Sequence, residues 1–167
     1  MKLQFIKNVL DVFIHAIFQK KQARTQIPVD EIKKILVIRV NYRIGNILFT
    51  TTLLRALEKQ FPNALIDVLI GSRAPKVLLE GSTHIEKIYD FPRALLKNPF
   101  KLFSYLSVIR SKKYDLIVNL NSGSTSDRLL TFLSRGTYKL GFENEKKWSP
   151  STHVVSVPKI SLHEAIK

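Results

Sequence analysis

The chain has 167 residues, 45% hydrophobic and 24% charged, values of an ordinary globular domain that argue against whole-chain disorder. No apolar run reaches the roughly eighteen residues of a membrane-spanning helix. With no cysteine, disulfide scaffolds, thiolate metal sites and cysteine nucleophiles are excluded. Twenty-seven Lys and Arg against thirteen Asp and Glu leave a formal charge of +14, which points to a polyanionic neighbour: nucleic acid, an anionic membrane surface or a phosphorylated substrate.

Residues 1–27 read as a basic amphipathic helix and linker. Leu3, Ile6, Leu10, Phe13 or Ile14, and Ile17 fall on one helical stripe, flanked by Lys2, Lys7, Lys20, Lys21 and Arg24 against a single acid, Asp11. Such a helix suits an anionic membrane interface; packing on the main domain or on a partner domain is an equal alternative. A secretory signal is disfavoured, because Asp11 and His15 interrupt the apolar region.

Beyond Pro28 a strand–helix rhythm begins, and residues 33–167 read as one domain. Ile35 to Val40 is a β-branched apolar run typical of a strand buried on both faces. Gly45 breaks it, and a helical pattern runs through Ile47, Leu54 and Leu57 to Phe61. Ala64 to Ile70 is a second strand, Arg73 to Glu80 a short helix, and Ile85 to Phe91 a weaker strand. Pro99 fits the first turn of a helix reaching about Lys112. Tyr114 to Leu120 is a strong strand, Ser126 to Arg135 a helix, and Tyr138 to Phe142 and Val154 to Val157 are short edge elements. The alternation predicts an α/β fold with a Rossmann-like parallel sheet and helices on both faces.

In such sheets ligands gather where strands end and helices begin. The first such turn holds Arg43, Gly45 and Asn46. Gly45 allows a tight turn, the helix start offers N–H groups to an anion, and Arg43 adds a cation. The spacing matches neither GxGxxG nor a phosphate-binding lysine loop, and on spacing alone Asn46 is an ordinary helix N-cap. The second turn, Asn119 to Ser126, could line a sugar or phosphate site through Asn121 and Ser122, or be a plain strand-to-helix loop. His15, His84, His153 and His163 are scattered without metal-ligand spacing, so no metal is expected. The cations are dispersed, and neither an RNP-type strand nor a zinc-finger spacing argues for nucleic acid.

The string ILVIRVNYRIGNILFTTTLLRAL resembles the opening of the heptosyltransferase-like glycosyltransferases, family 9. The likeness continues through FPNALIDVLIGSRAPKVLLEGSTHIEKIYDF, YDLIVNLNSGSTS, YKLGFE and the closing SLHEAIK, in the same order, over residues 33–167. The resemblance implies the N-terminal, acceptor-binding half of a GT-B-type enzyme. Such enzymes transfer heptose or a related sugar from a nucleotide sugar to the lipopolysaccharide core or a similar glycan. The donor would bind a C-terminal half that this sequence does not include, so no cofactor is expected here and the isolated chain is expected to be inactive.

The resemblance also gives the charge a reading. A phosphorylated glycolipid acceptor at the inner face of the cytoplasmic membrane would favour a cationic groove and a basic anchor over residues 1–24. It suggests Arg43, Arg73 and Lys76 as acceptor contacts, beside Gly45, Asn121 and Ser122. Three positions depart from the family pattern. Asn46 stands where a catalytic-base Asp is common, Thr52 where proline is usual, and Asn119 where Asp is common. Asparagine cannot take a proton at neutral pH and can only orient a hydroxyl. Two readings follow: half of a membrane-associated glycosyltransferase, or a non-catalytic, truncated relative that acts as a membrane-associated binding protein.

Overall fold

The structure, a computed structural model, describes residues 26–40, 44–71, 79, 85–121, 123–142 and 148–155. Within these, six strands form one parallel sheet: β1 (Lys34–Arg39), β2 (Leu65–Gly71), β3 (Ile85–Phe91), β4 (Leu116–Asn119), β5 (Tyr138–Phe142) and β6 (His153–Val155). Their order across the sheet is β3-β2-β1-β4-β5-β6. Three α-helices accompany them: α1 (Ile44–Gln60), α2 (Pro99–Arg110) and α3 (Thr125–Leu133). The expected Rossmann-like α/β layer is therefore present.

Burial along the strands follows their place in the sheet. β1, β2 and β4 bury consecutive residues, because both faces are covered and alternation has nothing to expose. On one face Ile35, Val37, Ile66 and Val68 pack with Ile47, Leu54 and Leu57 of α1 and with Phe61 just after it. On the other, Leu36, Ile38, Leu69 and Ile117 pack with Leu106 and Ile109 of α2 and Leu130 of α3. Two cores on opposite sides of one sheet are what parallel strands joined by crossover helices produce.

The helix ends follow the local chemistry. Asn98 caps α2 by accepting the Lys101 N–H at 3.0 Å, and Pro99 occupies the first turn, as its fixed φ predicts. Ser124 caps α3, so that helix starts one residue before the expected Ser126. β5 corrects the sequence reading: it is not an edge but lies between β4 and β6, and among the described strands β3 and β6 are the edges. Its partial burial comes from a short, weakly covered strand rather than from an open side. A 3-10 helix, Arg93–Lys97, also lies where the sequence suggested none. The N-terminal helix, the Arg73 to Glu80 helix apart from Leu79, and the closing SLHEAIK lie outside the described residues.

Candidate functional site

The chain proceeds from β1 outward to β2 and β3, then returns to β4 on the far side of β1. The strand order thus reverses between β1 and β4, and the crevice outside their carboxyl ends is where open α/β sheets bind ligands. Ile38 pairs with Asn119 at the end of the ladder, and the Leu120 N–H continues it to the Ile38 carbonyl at 3.2 Å.

Beyond that last rung three segments meet: the end of β1, the loop after β4 and the start of α3. Arg39, the last residue of β1, donates from Nη1 to the Leu120 carbonyl at 2.5 Å. The buried Asn119 side chain accepts the Asn121 N–H at 2.8 Å, and the Ser124 N–H reaches the Asn121 carbonyl at 3.1 Å. These bonds fold the loop after β4 tightly onto the start of α3. There the Ser124 hydroxyl donates to Asp127 Oδ1 at 2.8 Å and accepts the Asp127 N–H, a local capping exchange between N-cap and third helical residue.

That exchange holds a fully buried carboxylate at the crevice. Burial raises the Asp127 pKa above the ordinary carboxylate range, opposed by the Ser124 hydroxyl, the Val40 N–H and the charges of Arg39 and Arg93. Burial also lowers the pKa of Arg39, and the Asp127 charge works against that shift. Arg39 Nε and Asp127 Oδ2 are buried without a hydrogen-bond partner. Buried polar atoms are rarely left so, and here two atoms of opposite character share the switch point. Next to them Arg128, 1% exposed, donates to the Trp148 carbonyl at 3.1 Å and to the Thr125 hydroxyl at 3.0 Å. Its guanidinium lies over the Trp148 ring, 5.3 Å from the centroid.

Of the residues singled out from sequence, Gly45, Asn46 and Asn121 lie at this end of the sheet; Arg43, Arg73, Lys76 and Ser122 lie outside the described residues. The N-cap reading of Asn46 is corrected: α1 already starts at Ile44, which puts Asn46 inside the first turn. Its carbonyl accepts the Thr50 hydroxyl at 2.8 Å. Gly45 is likewise helical with no positive φ, so it does not supply a tight turn. What it supplies is space: among the described residues nothing outside the helix's own backbone lies within 4 Å of where a Cβ would stand. The first turn of α1 carries no acidic residue, so its N–H groups face the crevice with their positive partial charge uncompensated from within the turn.

Sequence reading missed Arg39, Asp127 and Arg128. The Ser124-x-x-Asp127 spacing was the one available signal, since a hydroxyl followed three residues later by an acid marks a helix start. A separate open cleft of about 950 Å³ lies at the other end of the sheet, before β4 and β5, among residues that include Arg110, Asp115, Arg135 and Lys139.

Comparison with known proteins bears on this arrangement. No family model matches the chain. Over 79 residues it is 37% identical to lipopolysaccharide heptosyltransferase 3 of Escherichia coli, a match spanning 46% of this chain and 23% of that protein. The E. coli heptosyltransferase WaaC, solved with ADP, superposes with a TM-score of 0.60 at 15% identity, covering 79% of this chain and 43% of that one. The chain thus spans less than half the length of the proteins it matches. It is heptosyltransferase-like in sequence over that stretch, and its sheet shares the WaaC fold.

Proposed function

We propose that this chain is the acceptor-binding part of a glycosyltransferase that moves heptose or a related sugar from a nucleotide sugar to the lipopolysaccharide core or a similar glycan. The observation that carries the reading is the 37% identity to a lipopolysaccharide heptosyltransferase. The crevice between β1 and β4 suits the acceptor. The acid-free first turn of α1 and the Arg39 guanidinium favour an anionic, hydroxyl-rich ligand, and Asn46 can accept or donate a hydrogen bond to a sugar hydroxyl. Because the Asn46 amide takes no proton, it would orient the nucleophilic hydroxyl rather than deprotonate it. Arg39 and Asp127, anchored to Leu120 and Ser124, would hold the crevice floor in place. The nucleotide sugar would fall to a second domain, and the acceptor's setting would be the inner face of the cytoplasmic membrane.

Calorimetry on the full 167-residue chain tests this. Saturable binding of a phosphorylated core oligosaccharide is expected, with no binding of ADP or a nucleotide sugar; the reverse preference overturns it. A second reading, a binding protein without catalysis, is favoured by Asn46 standing where the resemblance implies a catalytic-base Asp. Protein isolated from its own cells and given acceptor and nucleotide-heptose separates the two, because only a transferase forms product.

A further inference from the structure

The stretch from Phe91 to Tyr114 is strongly basic. Its 24 residues include Arg93, Lys97, Lys101, Arg110, Lys112 and Lys113, and not one Asp or Glu. Its centre is α2, whose inner side is accounted for: Leu106 and Ile109 are buried, with Leu102 and Tyr105 packed beside them. The outer side is not. Phe100 is 87% exposed, Phe103 64% and Val108 54%. By helical spacing these three share one face with Ser104 and Ser107, and Lys101 and Arg110 fall at its two margins.

The cleft at the end of α2 extends the same character. Phe103 and Arg110 line it together with Lys113, Arg135 and Lys139. The acid in its wall, Asp115, is already engaged: its Oδ2 accepts the N–H groups of Lys33 and Lys34, each at 2.9 Å. Arg110 spends its Nε on the Leu133 carbonyl at 2.5 Å and Lys139 its Nζ on the Phe132 carbonyl at 3.1 Å, so both also serve the end of α3. Arg110 and Arg135 nonetheless lie close enough to repel, which an anion in the cleft would relieve.

We infer that the outer face of α2 is a docking surface for an anionic lipid bilayer, with Phe100, Phe103 and Val108 entering the interfacial layer and the surrounding cations meeting lipid phosphates. Charge selects this occupant. Aromatic anchors flanked by Lys and Arg, of which Lys112 pairs with Glu86 at 3.8 Å, fit a negatively charged surface. Two phenylalanines and a valine separated by serines make a small, discontinuous apolar area, less than a stable protein interface needs. The inference stands apart from the transferase reading, and its element differs from residues 1–24.

The test is tryptophan fluorescence of the full-length Phe100→Trp variant mixed with phosphatidylcholine vesicles, with and without phosphatidylglycerol. Trp148, the chain's other indole, is 4% exposed and serves as an internal reference. With phosphatidylglycerol present, the added indole is expected to shift to the blue and to be quenched by brominated acyl chains. Without phosphatidylglycerol neither change is expected. Replacing both rings, Phe100→Ser with Phe103→Ser, is expected to weaken vesicle partitioning by roughly tenfold or more, as loss of buried aromatic area predicts. A chain that binds vesicles while the indole at position 100 stays unshifted and unquenched overturns the proposal, because the contact then lies elsewhere. Absence of vesicle binding overturns it too, as does a blue shift that grows with protein concentration in the absence of lipid, which would assign the face to a second copy.

Discussion

Toward the amino-terminal end of the strands, Asp67 is buried in β2 and accepts a hydrogen bond from the Tyr114 hydroxyl at 2.5 Å. At the carboxyl end, Asp127 is buried at the start of α3, beside the Arg39 and Arg93 charges. Both carboxyls are pushed above their ordinary range by burial. Their company differs. Asp67 is held by the Tyr114 hydroxyl and the Lys87 N–H, and the opposed charges of Glu86 and Lys112 both act on it. Asp127 is held by a hydroxyl and faces a cation at the switch crevice, where its charge has a counterpart. A parallel sheet tolerates buried acids at both ends, and the carboxyl end adds to the opposing charge a helix first turn that carries no acid of its own.

The two ends are also secured differently, and substitution should show it. The largest effect is expected at the carboxyl end from Arg128→Ala. It removes the donors to the Trp148 carbonyl and the Thr125 hydroxyl together with the contact over the Trp148 ring. Unpaired buried acceptors and a lost cation–π contact together predict about 3 kcal/mol of destabilisation in urea unfolding. A loss close to zero would mean that this end is held by packing alone.

At the amino-terminal end the fit is steric. Gly136 follows α3, and a Cβ there would stand 2.6 Å from Ile117 Cγ1, a side chain fixed in the second core. Gly136→Ala should therefore cost about 2 kcal/mol, the usual penalty for overpacking. An unchanged midpoint would show that the turn into β5 can shift, and would erase the contrast between a hydrogen-bonded end and a close-packed one.

The contrast also explains what could be read in advance. The strands were legible because a sheet covered on both faces writes continuous apolar runs, such as Ile35 to Ile38 and Leu116 to Val118. Pro99 and Asn98 announced α2 through purely local chemistry. The placement of β5 was not legible, since a strand's neighbours are set by tertiary pairing and its short half-buried run looks like an edge. Nor was the meeting of Arg39 with Asp127, which sit far apart in sequence and come together only because β1 and β4 are neighbours. Asn46 was misplaced for a smaller reason: α1 begins three residues earlier than the apolar periodicity alone implies.

The smallest expected effect separates the two aspartates by pH. For each, the folded pKa is raised above the unfolded value. The stability tied to each protonated carboxyl is therefore fully present below the unfolded carboxylate range near about pH 4, and it is lost as pH rises through the higher folded value. Asp67→Asn keeps the shape, leaves an acceptor for the Tyr114 hydroxyl and cannot ionise. It should flatten the decline in unfolding free energy above that pH and leave the protein as stable as the parent or slightly more so at neutrality. Asp127→Asn removes the same ionisation but also the charge facing Arg39, a partly exposed cation that water can serve only in part. It should flatten the same decline but gain less at neutrality, because the Arg39 attraction already offsets part of the burial penalty on Asp127. Urea unfolding across the acid-to-neutral range reads both. If the two variants behaved alike at neutrality, Arg39 would draw nothing from Asp127, and the carboxyl end of the sheet would be no more prepared for charge than the amino-terminal end.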